Sequence, residues 1–168
     1  RPAIVLVGAM GVGKTSIGKR VARALGRPFV DTDRAIVSAH GPISALFATH
    51  GEPYFRELEC VAVRTALSRG GVVALGGGAV LSAETRAALR DHRVVLLTVD
   101  PKIVRGRIGD GKRPLLAGDD PVERWTRIAD ERRPLYDEVA DVTFDTSRGP
   151  LQDVVDRVVT WVRAEEER

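Results

Sequence analysis

Short apolar runs alternate along the chain with segments in which apolar residues recur every three or four positions. A short run is typical of a buried parallel strand, whereas the longer period is typical of an amphipathic helix. The runs predict five strands, at residues 3–7, 28–31, 72–75, 93–99 and 141–144. Strands that alternate with helices predict βαβ units, and therefore an α/β fold with a parallel sheet covered by helices on both faces.

Three helices are marked most clearly by this pattern. The first follows the first strand and ends at Gly26, and the second has an apolar stripe over residues 55–66 before Gly70. Glycine just after a helix is a common stop signal. The last helix is predicted to begin at Pro150, because proline suits the first helical position.

One segment breaks the alternation. Residues 109–121 are rich in glycine, proline and charge, yet they contain two adjacent leucines. A long irregular segment inside a compact domain is usually functional or disordered. We predict a mobile lid at 109–121, a segment that would close over a bound ligand and exclude water, and a flexible surface loop is the alternative.

Composition narrows the choice of partners. The 168 residues suit a single domain, and no apolar run approaches the length of about 18 residues that a membrane span needs. Of the 26 basic residues, 22 are arginine, and they are mixed with 23 acidic residues rather than gathered in a basic run. This distribution favours a small anionic ligand over nucleic acid. The single cysteine, Cys60, suits a reducing cytoplasm.

Residues 8–15 match the phosphate-binding pattern G-x-x-x-x-G-K-[ST] at every fixed position. They lie between a predicted strand and a predicted helix, where free N–H groups at the helix start attract an anion. In this pattern Lys14 binds the outer phosphates and the Thr15 hydroxyl binds Mg²⁺. The alternative is a glycine-rich turn with no ligand.

Two carboxylates, Asp31 and Asp33, follow the second predicted strand. Ligands of open α/β sheets bind at the carboxyl ends of the strands. A carboxylate near Lys14 can hold metal-bound water or orient an attacking hydroxyl. The sequence D-T-D is equally consistent with a helix cap.

Three further features accompany these residues. Gly76, Gly77 and Gly78 follow the third predicted strand, where they can bring a ligand onto main-chain N–H groups or simply form a turn. Arg56 is spaced to form surface ion pairs with acidic residues on its own helix. Arg132 lies just before Pro134, which we expect to end or kink its helix.

Together these features resemble the shikimate kinase family over nearly the whole chain. The motifs occur in register: the phosphate-binding loop, D-T-D, G-E-x-x-F-R at 51–56, G-G-G, R-P-L-L at 113–116 and R-x-P-L-Y at 132–136. The resemblance implies a three-layer α/β/α fold of the nucleoside-monophosphate-kinase type, with a five-stranded parallel sheet and a substrate-binding helical region at about 33–69. It also implies transfer of the γ-phosphate of ATP to the 3-hydroxyl of shikimate, in the pathway to chorismate and aromatic amino acids.

The resemblance assigns the donor site to residues of the phosphate-binding loop and the lid. Lys14 is implied to hold the β- and γ-phosphates, Thr15 to ligate Mg²⁺ and Asp31 to hold metal-bound water. Arg113 is implied to reach the transferring phosphate. The implied ATP-binding residues are Gly11, Val12, Gly13, Lys14, Thr15, Ser16, Arg107, Arg113, Arg148 and Pro150, with Arg107, Arg148 and Pro150 near the adenine.

The acceptor site is assigned in the same way. Asp33 is implied to bind the shikimate hydroxyls and to accept the proton of the attacking one. Arg56 and Arg132 are implied to bind the shikimate carboxylate, with Gly76, Gly77 and Gly78 lining the same pocket.

Other interpretations stay open at this point. A kinase of the same fold that acts on gluconate or a nucleoside monophosphate has similar needs, and a module that senses ATP or shikimate without turnover is a further alternative. The resemblance also implies a monomer, with no nucleic-acid or membrane partner.

Overall fold

The computed structural model describes residues 1–108 and 120–168. The strands are β1 (Ile4–Val7), β2 (Phe29–Asp31), β3 (Val72–Ala74), β4 (Arg93–Thr98) and β5 (Val142–Asp145). The helices are α1 (Lys14–Leu25), α2 (Thr32–His40), α3 (Ile43–His50), α4 (Glu52–Arg69), α5 (Ala83–Leu89), α6 (Pro101–Ile108), α7 (Pro121–Val139) and α8 (Leu151–Glu166). None of the helices in these two stretches is long and apolar enough to cross a membrane.

The five strands form one parallel sheet in the order β2-β3-β1-β4-β5. β1 lies at the centre, with Ile4 opposite Val72 of β3 on one side and opposite Arg93 of β4 on the other. The predicted α/β fold and all five predicted strands are therefore confirmed, with ends that differ by a few residues. Because every strand is parallel, all five carboxyl ends meet at one edge of the sheet.

Two apolar clusters cover the two faces of the sheet. Residues of β1 alternate between them: Ile4 and Leu6 pack with α1 and α8, whereas Val5 and Val7 pack with α4 and α5. Alternation with a period of two is what a strand buried on both faces requires. The sheet is therefore the middle of three layers, as the family resemblance implies.

Helices α2, α3 and α4 form a small unit beside the sheet. Ile36, Leu46 and Phe55 make a separate apolar cluster, with one residue from each helix. The sequence pattern singled out only the long helix, α4, because α2 and α3 are too short to show a clear period. This unit spans the range 33–69 that the resemblance gives to a substrate-binding helical region, and its role in binding stays a prediction.

Helix α7 links the two faces. It contributes Trp125 to the cluster on one face and Tyr136 to the cluster on the other, so it passes over the carboxyl edge of the sheet. Of the two outcomes expected at Pro134, the end of the helix is wrong, since α7 continues through it to Val139, while a kink stays a prediction. Proline removes one main-chain hydrogen bond, and the packing of Tyr136 beyond it holds the next turn in place.

Candidate active site

A cavity of about 800 Å³ lies at the carboxyl edge of the sheet, beneath helix α7. The phosphate-binding loop, the start of α2 and the segment after β3 open into it. Its lining includes these predicted site residues: Gly11, Gly13, Lys14, Thr15, Ser16, Asp31, Asp33, Gly77 and Arg132. The fold thus brings together residues that are more than 100 positions apart in the sequence.

Glycine is required at three positions of the phosphate-binding loop. Gly8, Gly11 and Gly13 have φ angles of 146°, 84° and 101°, which residues with a side chain rarely adopt. A Cβ atom on Gly8 would also overlap the main-chain carbonyl of Leu97. The loop therefore has the backbone conformation that its glycines predict.

The main-chain carbonyls of this loop accept hydrogen bonds from side chains of four residues. Lys14 Nζ donates to Gly8 O and Ala9 O at 2.6 and 3.0 Å, Trp125 Nε1 to Met10 O at 2.6 Å, Arg107 to Gly11 O at 3.2 Å, and Thr146 Oγ1 to Val12 O at 2.9 Å. In a trans peptide the N–H of the next residue points opposite to the carbonyl. The carbonyls of this loop are thus held by protein side chains, and the N–H groups that follow them point the other way, as an anion-binding loop requires.

Lys14 is the cation of this loop. Burial lowers the pKa of its ammonium group to about 8, while the Asp33 and Asp31 carboxylates raise the pKa and Arg132 lowers it. The group is therefore protonated at neutral pH and carries its charge at the mouth of the phosphate cradle.

Thr15 and Asp31 form the part of the site that fits a magnesium ion. Thr15 Oγ1 donates to Asp31 Oδ2 at 2.7 Å, so two oxygen ligands of the kind that Mg²⁺ prefers lie together beside Lys14. Asp31 also caps helix α2, since its Oδ1 accepts from the Arg34 N–H at 3.1 Å. Outside residues 109–119, no group of three or more His, Cys, Asp or Glu side chains could hold a metal ion.

Asp33 lies in the first turn of α2, against the glycine segment. A Cβ on Gly76 would stand 2.5 Å from Asp33 Oδ1, so glycine is needed there to admit the carboxylate. Burial and then repulsion from Asp31 raise the pKa of Asp33, while Lys14 and Arg56 lower it. The carboxyl group is held in a site that makes it a stronger base than an exposed aspartate.

Arg56 lies against the glycine segment at 76–78 and forms ion pairs with two carboxylates. Its guanidinium lies 2.8 Å from buried Glu59 and 3.2 Å from exposed Glu52, so the ion pairs expected from the helical spacing do form. Burial lowers the pKa of Arg56, but its contacts with Glu59 and Glu52 raise the pKa by more, so the net result is a pKa above the ordinary value for arginine. A Cβ on Gly78 would stand 2.5 Å from either terminal nitrogen of Arg56.

These contacts explain the glycine triplet differently from the sequence prediction. Gly76 and Gly78 do not have positive φ angles, and their missing Cβ atoms make room for Asp33 and Arg56. Gly77 is less crowded, since a Cβ added there would have its nearest neighbour, Arg132, at 3.5 Å. Whether a ligand also binds this backbone stays a prediction.

Arg132 and Tyr136 project into the cavity from α7, one turn apart. Tyr136 Oη donates to the Gly77 carbonyl at 2.6 Å. Arg132 is half-buried, and its charge acts on Lys14, Glu59 and Tyr136 alike. Arg132 is therefore well placed for a ligand that enters the cavity, whereas Arg56 is outside the cavity lining.

The predicted adenine-binding residues lie at the far end of the loop. Arg107 donates to the Thr146 carbonyl at 2.6 Å as well as to Gly11, which ties α6 to the segment after β5. Arg148 and Pro150 are exposed on that segment, and Pro150 immediately precedes α8. Their role toward adenine stays a prediction. Arg113 lies outside the described residues, and of the predicted lid only Asp120 and Pro121, which begin α7, are described.

Sequence reasoning missed Trp125, Thr146 and the role of Tyr136. Trp125 is one of two tryptophans and precedes Arg132 by seven residues, which is two helical turns. That spacing could have placed it on the same face as Arg132. Thr146 carries no such signal, because a lone threonine after a strand is common.

Comparison with known proteins agrees with the geometry. The family model for shikimate kinase matches residues 10–163. The shikimate kinase of Corynebacterium efficiens is 48% identical over 159 residues, which cover 93% of this chain and 94% of that protein. A solved shikimate kinase from Acinetobacter baumannii, in complex with shikimate, has a TM-score of 0.90 and 35% identity, covering 99% of this chain and 96% of its own.

A solved gluconokinase from Sinorhizobium meliloti is more distant. Its TM-score is 0.67 at 21% identity, covering 99% of this chain and 94% of its own, which shows a shared fold alone. The match of the family model over most of the chain, together with relatives of high identity, decides the assignment. The chain belongs to the shikimate kinase family.

Proposed function

We propose that this protein transfers the γ-phosphate of ATP to the 3-hydroxyl of shikimate, giving shikimate 3-phosphate and ADP. One observation carries the proposal: a single cavity joins the phosphate-binding loop and Lys14 to a carboxylate, Asp33, and a half-buried cation, Arg132. Phosphoryl transfer needs donor and acceptor held side by side among fixed charges, and little covalent chemistry from the protein. Membership of the family supports shikimate as the acceptor.

On the donor side, Lys14 and the loop N–H groups hold the β- and γ-phosphates. Thr15 would ligate Mg²⁺ directly and Asp31 would hold one of its waters, in keeping with their two adjacent oxygens. When bound, the ion neutralises negative charge on the outer phosphates. Lys14 adds a positive charge at the same place, because its ammonium is protonated below a pKa of about 8.

On the acceptor side, Arg56 and Arg132 bind the carboxylate of shikimate. A guanidinium can donate two parallel hydrogen bonds to a carboxylate, which fixes orientation as well as charge. The buried Glu59 holds Arg56 at 2.8 Å and so limits the directions in which Arg56 can turn. The N–H groups of Gly77 and Gly78 complete this side of the pocket, since the Gly76 N–H donates to Thr32 Oγ1.

Asp33 orients the attacking hydroxyl and accepts its proton. Its pKa is raised by burial and by Asp31, so it takes up a proton more readily than an exposed carboxylate does. Lys14 and Arg56, whose charges favour ionised Asp33, keep the group available as a base.

A coupled assay with ATP, Mg²⁺ and a panel of acceptors tests the proposal. We expect turnover with shikimate, and far lower kcat/KM with gluconate and nucleoside monophosphates. Arg56→Ala should mainly raise the KM for shikimate, and an equal rise in the KM for ATP would argue against its role. An absence of turnover with shikimate, with ATP still bound, would overturn the assignment in favour of another acceptor or of a sensing module.

We further infer that the protein works as a cytoplasmic monomer with no nucleic-acid or membrane partner. The support is the even mixture of arginines and acidic residues along the chain and the single cysteine. Light scattering coupled to gel filtration tests the monomer, for which we expect one species of 18.2 kDa.

A further inference from the structure

Helix α7 holds a main-chain carbonyl in each of the two loops that line the cavity. Trp125 Nε1 donates to Met10 O in the phosphate-binding loop at 2.6 Å, and Tyr136 Oη donates to Gly77 O in the glycine segment at 2.6 Å. Both side chains are buried, with 8% of Trp125 and 3% of Tyr136 exposed. Each loop thus has a main-chain carbonyl whose orientation is tied to α7 through a side chain that is itself buried.

Each contact fixes the orientation of a peptide unit rather than of a side chain. The Met10 carbonyl and the Gly11 N–H belong to one planar trans peptide and point in opposite directions. The Gly77 carbonyl and the Gly78 N–H are related in the same way. Glycine has little conformational preference of its own, so the peptides beside Gly11 and Gly77 need an external contact to stay in one orientation.

The two donors share one face of α7 with a predicted ligand-binding residue. Arg132 follows Trp125 by seven residues and precedes Tyr136 by four, which are two turns and one turn of helix. All three line the same cavity. One helical face thus contacts the donor loop at one end and the acceptor loop at the other.

We propose that Trp125 and Tyr136 are positioning residues, Trp125 for the Gly11 N–H of the donor site and Tyr136 for the Gly78 N–H of the acceptor site. The proposal deepens the proposed function, and it rests on that function for the identity of the acceptor. It needs neither residue to touch a ligand. Its distinctive consequence is a separation of effects: loss of one donor weakens one ligand and leaves the other nearly unchanged.

The chain offers a matched control for each residue, because it contains two tryptophans and two tyrosines. Trp161 on α8 is partly buried and packs against the core on one face of the sheet. Tyr54 on α4 is exposed, with its ring 4.3 Å from the ring of His50. Substitution by phenylalanine removes the polar donor in each case and keeps an aromatic ring.

Calorimetric titration of the four variants with ADP and with shikimate tests the separation. We expect Trp125→Phe to raise the Kd for ADP about fivefold, the effect of one lost hydrogen bond, and to change the Kd for shikimate less than about twofold. Tyr136→Phe should show the reverse. Trp161→Phe and Tyr54→Phe should leave both values within about twofold.

Equal weakening of both ligands by Trp125→Phe or Tyr136→Phe would overturn the proposal, since a packing defect has no reason to separate the two sites. Unchanged affinities would overturn it as well. Binding of ADP requires no turnover, so the Trp125 result stands on its own. A wild-type protein that binds ADP but not shikimate would instead refute the proposed acceptor, together with the role of Tyr136.

A spectroscopic measurement covers the case in which Trp125→Phe does not fold. In ¹⁵N-labelled Trp161→Phe protein, the single indole N–H resonance belongs to Trp125. We expect ADP to shift this resonance and to slow its exchange with solvent, whereas shikimate alone leaves it in place. A resonance that ADP does not move would overturn the role of Trp125.

Discussion

The two halves of the candidate active site are built from different parts of the chain. The donor half is one continuous loop at residues 8–15, and its binding groups are main-chain N–H groups with one cation, Lys14. The acceptor half gathers side chains from separate helices, with Asp33 on α2, Arg56 on α4 and Arg132 on α7. The donor half depends on the conformation of its backbone, whereas the acceptor half depends on charged side chains.

The two halves also differ in the contacts that their polar groups make within the protein. In the donor half, the main-chain carbonyls of the loop are bonded to protein side chains, among them Lys14 and Trp125. In the acceptor half, Arg56 is already paired with Glu59 at 2.8 Å. The donor half is thus fixed through its backbone, whereas Arg56 of the acceptor half is fixed through an ion pair. Single side-chain changes should therefore affect the acceptor half more selectively.

Asp33→Asn should cause the largest effect, because it removes the group that accepts the proton and keeps its shape. We expect kcat to fall about 1000-fold, within the range for loss of a general base. The Kd for ADP should change less than about twofold, since the donor half is intact. Steady-state kinetics and calorimetry measure both, and a kcat within about tenfold of wild type would remove Asp33 from the chemistry.

Arg132→Ala should raise the KM for shikimate about 50-fold, the cost of losing charged hydrogen bonds to a carboxylate. The neighbouring Arg133 is the matched control, because it is exposed and paired with Asp137 at 2.8 Å on the outer side of α7. Arg133→Ala should leave the KM within about twofold. Equal effects of the two variants would indicate general loss of positive charge rather than a specific contact.

Gly78→Ala should raise the KM for shikimate about tenfold, because the new Cβ would stand 2.5 Å from the Arg56 guanidinium and displace it. Gly77→Ala should have a smaller effect, since its Cβ would have its nearest neighbour at 3.5 Å. Stability should fall in Gly78→Ala as well, because displacing Arg56 separates it from the buried Glu59 carboxylate, whereas Gly77→Ala should change stability little. Kinetics and thermal unfolding of the pair measure this, and a larger effect at Gly77 would contradict it.

Raising the pH should weaken the binding of ADP and leave the binding of shikimate nearly unchanged. Lys14 has a pKa of about 8, below the ordinary value for lysine, so it loses its proton as the pH rises through 8. The Kd for ADP should therefore rise about fourfold between pH 7 and 8.5, while shikimate binding, which relies on arginines, stays nearly constant. Lys14→Arg should abolish the rise, because arginine keeps its charge. A flat profile in the wild type would contradict the assignment to Lys14.

The backbone conformation of the phosphate-binding loop could be predicted from the sequence, because its residues are contiguous and its glycines adopt the positive φ angles that the motif requires. The strands could be predicted equally well, since a strand that is buried on both faces shows in the sequence as a continuous apolar run. The acceptor residues stood out in the sequence, but the binding of the shikimate carboxylate was assigned to Arg56 and Arg132 only through the family resemblance. Their spacing along the chain says nothing about the fold that joins them, and Arg56 in particular has a pattern that ordinary surface ion pairs share.

Other features could not be predicted because they depend on tertiary contacts. Pro134 is a strong local signal for the end of a helix, yet the packing of Tyr136 overrides it. The glycines at 76 and 78 admit side chains from α2 and α4, and no local pattern reveals which groups approach. The hydrogen bond from Trp125 to Met10 joins residues 115 positions apart.

The passage of α7 across the sheet edge sets a length as well as an orientation. An α-helix advances about 1.5 Å per residue, so the eleven residues from Trp125 to Tyr136 measure about 16 Å between the two loops. A helix hardly stretches, so this segment keeps a fixed distance between the side chains that contact the Met10 and Gly77 carbonyls. The spacing of these two contacts along α7 is thereby set by a residue count, and one inserted residue would lengthen the segment by about 1.5 Å and turn Tyr136 by about 100° relative to Trp125.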